Sequence, residues 1–149
     1  MAFLKLNNYT MKGDHIEYYA GYKYQLNKTY SVQTRIIPTF PVDEEYIKLD
    51  LSGLLSIKEG YAWDGPSGPT FDTPDFMRGS LVHDALYQLM RDGFISEFSY
   101  KPMVDELLRI VCLEDGMSNF RAAYVWEGVN IFGGPSADPA DKKPVITAP

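Results

Sequence analysis

A chain of 149 residues, 45% hydrophobic and 23% charged, has the size and composition of one soluble globular domain with its own core. Twenty acidic residues against fourteen basic leave a net charge of −6, which repels phosphate backbones and argues against nucleic-acid binding by bulk charge. A single cysteine, Cys112, excludes an internal disulfide framework and a Cys-rich zinc site. No apolar run approaches the ~20 residues of a membrane helix, so no transmembrane segment is expected. The N-terminal MAFLKLNNYT turns polar too early for a signal peptide's apolar centre. The expectation is a soluble protein of the cytoplasm, of a cell or of something replicating inside one.

Residues 15–62 read as β structure. Ile16–Leu26 is rich in aromatics, with Gly21 as a bend or bulge. Tyr30–Ile37 alternates apolar and polar, placing Val32, Thr34 and Ile36 on one face of a half-buried strand. Pro38 and Pro41 stop it, and Pro41–Glu45 reads as an exposed turn. Tyr46–Leu51 alternates again at Ile47, Leu49 and Leu51. Ser52-Gly53 signals a turn, and Leu54–Trp63 is one further strand or two short ones. Three to five antiparallel strands are expected.

From Thr73 the period becomes helical. Thr73 suits an N-cap, Pro74 the first helical position, and Asp75 the dipole; the helix should run to about Arg91 and stop at Gly93. A second helix is expected from Ser99 or Pro102, with Val104, Leu107, Leu108 and Val111 on its apolar side and Gly116 at its end. Ser118 should cap a third, from Asn119 to about Ile131, offering Ala122, Val125, Trp126 and Val129 for burial. Strands first and helices after predict an α+β fold: a small antiparallel N-terminal sheet packed against about three C-terminal helices. Residues 1–133 form the domain in this reading. Residues 134–149, proline-rich and without periodicity, read as an extended or disordered tail.

The segment Gly60–Met90 leaves a strand, crosses a Gly/Pro-rich loop and enters a helix bearing His83-Asp84. The loop, with Asp64, Gly65, Ser67 and Gly68, is stiff and exposes backbone polar groups, which suits a metal or an oxyanion. A plain connector whose Asp64 and Ser67 bond only their own backbone is the alternative. His83 and Tyr87, four apart, share a helix side at the border of the apolar stripe formed by Val82, Ala85, Leu86 and Leu89. Asp105 falls near the apolar border of the next helix. A short connection makes the two helices antiparallel neighbours, so His83 and Asp105 can meet. A carboxylate there fixes the histidine tautomer and supports its charged form, the arrangement of a general base. It also describes a satisfied core histidine. Glu106 and His15 read as solvated, and Cys112 as a small core residue.

Residues 45–133 resemble a domain-of-unknown-function family of tailed bacteriophages and prophages. The resemblance is carried by Gly60-Tyr61, then Asp64 with Ser67 and Pro69, then His83-Asp84 with Leu86 and Tyr87, and then Asp105, with Gly133 near the family's end. It implies phage or prophage origin, a place in the host cytoplasm during infection or in the virion, and other phage proteins or a second copy as partners. It implies no established activity. The His-Asp-x-x-Tyr helix is also similar, locally and distantly, to the secreted calcium-dependent phospholipases. Carried over, His83 would activate water, Asp84 and carbonyls near Gly65 and Gly68 would bind a divalent metal such as calcium, and Tyr87 and Asp105 would position His83. Those enzymes are mostly disulfide-stapled, whereas this chain has one cysteine.

Two further arrangements are open: a Ser67–His83–Asp105 triad, and a metal held by Asp64, His83 and Asp84. The expectation is therefore a hydrolase-like site on His83, Asp84 and Asp105, with Tyr87 supporting. Its rival is a non-enzymatic virion component or host-interaction protein. There the same residues form a buried polar network, and the tyrosine-rich sheet supplies an interface.

Overall fold

A computed structural model describes residues 16, 18–19, 24–65 and 73–138. Among these residues seven strands come first: β1 Tyr18–Tyr19, β2 Tyr24–Leu26, β3 Tyr30–Gln33, β4 Val42–Asp43, β5 Ile47–Leu49, β6 Leu54–Ile57 and β7 Ala62–Trp63. Four helices follow: α1 Pro74–Arg91, α2 Glu97–Glu114, α3 Asn119–Phe132 and the short α4 Gly134–Ala137. The α+β order read from the sequence is the observed one.

The strands form two antiparallel sheets rather than one, in the orders β1-β2-β7 and β3-β6-β5-β4. Their number exceeds the expected three to five because β1, β4 and β7 are two-residue pairings, too short to show a period. In the larger sheet Val32 faces Leu55 and Ile47 faces Ile57. Tyr30, Val32, Ile47, Leu49, Leu55 and Ile57 are all buried on its inner side, while Ser31 and Ser56 hydrogen-bond on the outer one at 2.9 Å. The alternation continues past β3 through buried Thr34 and Ile36, as the sequence pattern requires. The exposed turn expected over Pro41–Glu45 is displaced: Val42 is buried and pairs with Leu49, so the reversal falls at 44–46. Pro41, which cannot donate, precedes an edge strand where no donor is missed. Leu51, placed on the inner face by its spacing, is exposed because the chain has already turned.

Helix ends follow their residues closely. Gly93 and Gly116 both have positive φ. After α1, Phe94 N–H donates to Leu89 O and Gly93 N–H to Met90 O; after α2, Met117 N–H donates to Cys112 O and Gly116 N–H to Leu113 O. These are paired Schellman closures, which glycine adopts without a Cβ penalty. The second helix starts earlier than Ser99, because the Ser96 hydroxyl accepts from Ser99 N–H and caps it. Pro102 therefore lies inside α2, on an exposed side. Ser118 caps α3 as expected, accepting from Arg121 N–H at 3.2 Å. The tail expected from residue 134 begins instead with α4, whose Ala137 is fully buried. Residues 139–149 lie outside the described residues, as do His15 and Gly21.

α1 is the central element, with buried residues on every side from Phe76 to Met90. One core joins it to both sheets and to α2, and a second joins Phe76 to Leu108, Cys112, Met117, Ala122 and Val125. A Cβ at Gly79 would lie 2.8 Å from Cys112 Sγ and 3.0 Å from Leu108, so this glycine lets α1 and α2 approach closely. Cys112 is the core residue expected, its thiol pushed up to about 12 by burial. Arg78, also buried, locks three elements: it forks onto Asp115 at 3.0 and 2.7 Å, reaches Glu114 at 3.3 Å, and donates to the Tyr30 hydroxyl at 3.2 Å. No helix among the described residues is long and apolar enough to cross a membrane.

Candidate functional site

The close approach at Gly79 brings the next two turns of α1 against the first half of α2. There His83 Nε2 lies 2.9 Å from Asp105 Oδ1. One turn further along α1, the Tyr87 hydroxyl donates to the same oxygen at 2.6 Å. The two rings pack against each other, tilted by 36° with centroids 3.9 Å apart, as neighbours at i and i+4 can. Asp105 has no exposed surface, and His83 is 7% exposed. The other carboxylate oxygen, Oδ2, receives Lys101 Nζ at 2.7 Å. That ammonium also donates to Val129 O at 3.1 Å and Asn130 O at 3.3 Å, at the end of α3. Three helices thus converge on one buried carboxylate.

The electrostatics follow from this arrangement. Burial alone would push Asp105 up, but the bonds from His83, Lys101 and Tyr87 outweigh it and hold its carboxyl below the usual range. Burial pulls the His83 imidazole down, yet the bond to Asp105 and the charge of Asp84 leave it above its ordinary value. Burial, then Asp105, pushes the Tyr87 phenol up, so it stays a donor. An ionised Asp105 can only accept, so a neutral His83 carries its proton on Nε2 and leaves a lone pair on Nδ1. Nδ1 looks toward Asp84, whose Oδ1 is 3.8 Å away. Asp84 stands a third exposed, since adjacent helix residues project about 100° apart.

The incoming strand is pinned beside this face. Trp63 Nε1 donates to the Ser80 hydroxyl at 3.0 Å, one turn before His83, and Ser80 in turn donates to Met77 O. The Tyr61 hydroxyl donates to Gln88 at 3.2 Å, and burial followed by the charge of Asp84 raises its pKa, with Asp64 contributing. Asp64 is exposed just after β7, and Gly65 follows it with positive φ. Ser67 and Gly68 lie outside the described residues, so the Ser67 triad has no geometry here. Among the described residues no three His, Cys, Asp or Glu side chains are grouped to hold a metal ion. The ligand set of Asp64, His83 and Asp84 is not assembled by them; the calcium implied by the phospholipase similarity would draw on carbonyls near Gly65 and Gly68, and Gly68 lies outside the described residues.

Comparison with protein-family models, curated proteins and solved structures finds no match. Of the residues singled out in the sequence, the fold joins His83, Tyr87 and Asp105 directly and sets Asp84 beside them. Lys101 was missed, although its spacing of four from Asp105 on one helix is the signal that could have found it. Arg78 was missed as well, because its partners are far away in sequence. Tyr30 and Tyr61 are buried anchors with bonded hydroxyls, whereas Tyr46 is exposed. Among the described residues the most exposed aromatics are phenylalanines, Phe98 at 94% and Phe120 at 85%.

Proposed function

We propose that this chain is a phage or prophage protein with a hydrolase-like site, in which His83 acts as general base on water. Asp105 supports the imidazole in that site, and Tyr87 and Asp84 flank it. One observation carries the reading: a fully buried, charge-balanced carboxylate bonds Nε2, leaving Nδ1 as the basic nitrogen on the side of Asp84. In water attack, Nδ1 takes a proton as the oxygen bonds the electrophilic carbon or phosphorus. The imidazolium so formed is stabilised by Asp105 through Nε2–H and returns its proton to the leaving group. Because His83 titrates above its ordinary 6.5, the rate should rise on the alkaline side of that value. The order of Asp64, His83-Asp84 and Asp105 supports the phage origin, with the host cytoplasm or the virion as its place.

The test is hydrolysis of a panel of ester, phosphoester, amide and glycosidic substrates by the wild type and by His83→Ala and Asp105→Asn. Expected is an activity that falls ~100-fold or more in both variants while they stay folded. A wild type inactive on the whole panel, together with normal phage development when His83→Ala is carried, would sink the catalytic reading.

A second reading has its own support. Every polar atom of Asp105 is engaged and His83 is nearly enclosed, as in a network that locks helices together. The exposed Phe98 and Phe120 suit a virion or host-interaction protein. Both histidine and aspartate variants unfolding would select this reading.

A further inference from the structure

We infer that Lys101 is the positioning residue of this site: by holding Oδ2 of Asp105 it keeps Oδ1 turned toward His83 and Tyr87 together. An ammonium has three donors, and Lys101 meets three acceptors, namely Asp105 Oδ2, Val129 O and Asn130 O. None of its donors is left over to let it swing away. The two carbonyls close the C-terminal end of α3, where the helix dipole favours a cation, so α3 anchors the ammonium independently of Asp105. The carboxylate is thereby gripped from one side by a fixed cation. Its other oxygen is the only one presented to α1, and both α1 donors converge on it, Nε2 at 2.9 Å and the Tyr87 hydroxyl at 2.6 Å.

Lys101 adds a charge role. The groups facing Asp105 are His83 and Tyr87 from α1 and Lys101 from its own helix, with α3 contributing only carbonyls through Lys101. Its ammonium, 2.7 Å from Oδ2, balances the carboxylate when the imidazole is neutral, the form a general base requires. Without it, a carboxylate with no exposed surface is left to neutral donors and is free to turn about its Cβ–Cγ bond.

The functional meaning of this inference rests on the general-base reading, but its test needs no substrate. Proton NMR of the wild type should show protected, downfield resonances for His83 Nε2–H and the Tyr87 hydroxyl. Lys101→Met should lose both, and Lys101→Arg, which can still reach Oδ2, should retain them. If Lys101→Met folds and both resonances stay at their wild-type positions, Lys101 only closes α3 and the inference is overturned. If Lys101→Met does not fold, the wild type decides through scalar coupling between Lys101 Nζ and Asp105 Cγ: its presence supports the grip and its absence overturns it. Loss of the resonances in a protein inactive on every substrate would leave the positioning role standing and remove only the hydrolase reading.

Discussion

Asp105→Asn is the most informative single change, because it preserves shape and removes charge. The amide has one acceptor and one donor group, whereas Asp105 accepts at both oxygens. Keeping its oxygen toward Lys101 turns the NH₂ onto His83 and Tyr87, so Nε2 must accept, the imidazole proton moves to Nδ1, and the Tyr87 hydroxyl loses its acceptor. The opposite orientation sets NH₂ against the ammonium. Either way the part-buried Lys101 ammonium loses its counter-charge and one donor is orphaned, at a cost of ~3 kcal/mol. For a chain of this length that lowers Tm by roughly 6–12 °C. Urea and thermal melts followed by fluorescence of the buried Trp63 would read it.

The pH dependence sharpens the test. Asp105 has a folded pKa below its ordinary 3.8, so its contribution is complete above that value and is lost as pH falls through the lower, folded pKa. His83 has a folded pKa above 6.5, so its contribution is complete below 6.5 and is lost as pH rises through the higher, folded pKa. The gap between wild type and Asp105→Asn should therefore be widest between 3.8 and 6.5, shrinking on both sides. A gap under ~1 kcal/mol, or one indifferent to pH, would refute the reasoning.

Other changes test the frame around the site. Gly79→Ala gains helix propensity of ~1 kcal/mol but presses on Cys112 and Leu108, for a net loss of about 1–2 kcal/mol. Adding Cys112→Ala should relieve part of it, so a double-mutant cycle by urea melts should show favourable coupling. A Cβ at Gly133 would sit 2.6 Å from the Tyr87 hydroxyl and 2.5 Å from Val129 O. Gly133→Ala should cost ~1–3 kcal/mol and push Tyr87 off Asp105, and Tyr87→Phe should suppress part of the loss in the same melts. Arg78→Met strips Asp115 and Glu114 of their buried partner and should cost ~3 kcal/mol or more. Arg78→Lys should recover little, since a lysine lacks the fork that spans both oxygens of Asp115; thermal melts of the two variants compare directly.

Much of this architecture is local chemistry. Gly93 and Gly116 end helices because they alone tolerate the backbone there, and Ser118 starts one because its hydroxyl takes a free N–H. The alternation from Tyr30 to Ile36 sets the buried face of a strand by the same short-range logic. Two-residue strands leave no such mark, and Val42, between a proline and acidic residues, has the local sequence of a turn although it pairs with Leu49. The start of the second helix is set by Ser96, whose hydroxyl caps it by accepting from Ser99 N–H.

The candidate site divides along the same line. From the sequence came the class α+β, most of the helix limits, and the expectation that His83 and Asp105 can meet, since two amphipathic helices joined by a short turn have few ways to pack. Local spacing determines which side of a helix a residue occupies. It does not determine which atoms share an oxygen. That Asp105 is wholly buried, that Tyr87 and His83 meet on one of its oxygens while Lys101 holds the other, and that α3 lends its last carbonyls to that lysine were decided by three helices closing together. Such contacts join residues up to 29 apart in the chain, and their energies depend on excluding water, which only the assembled core can do.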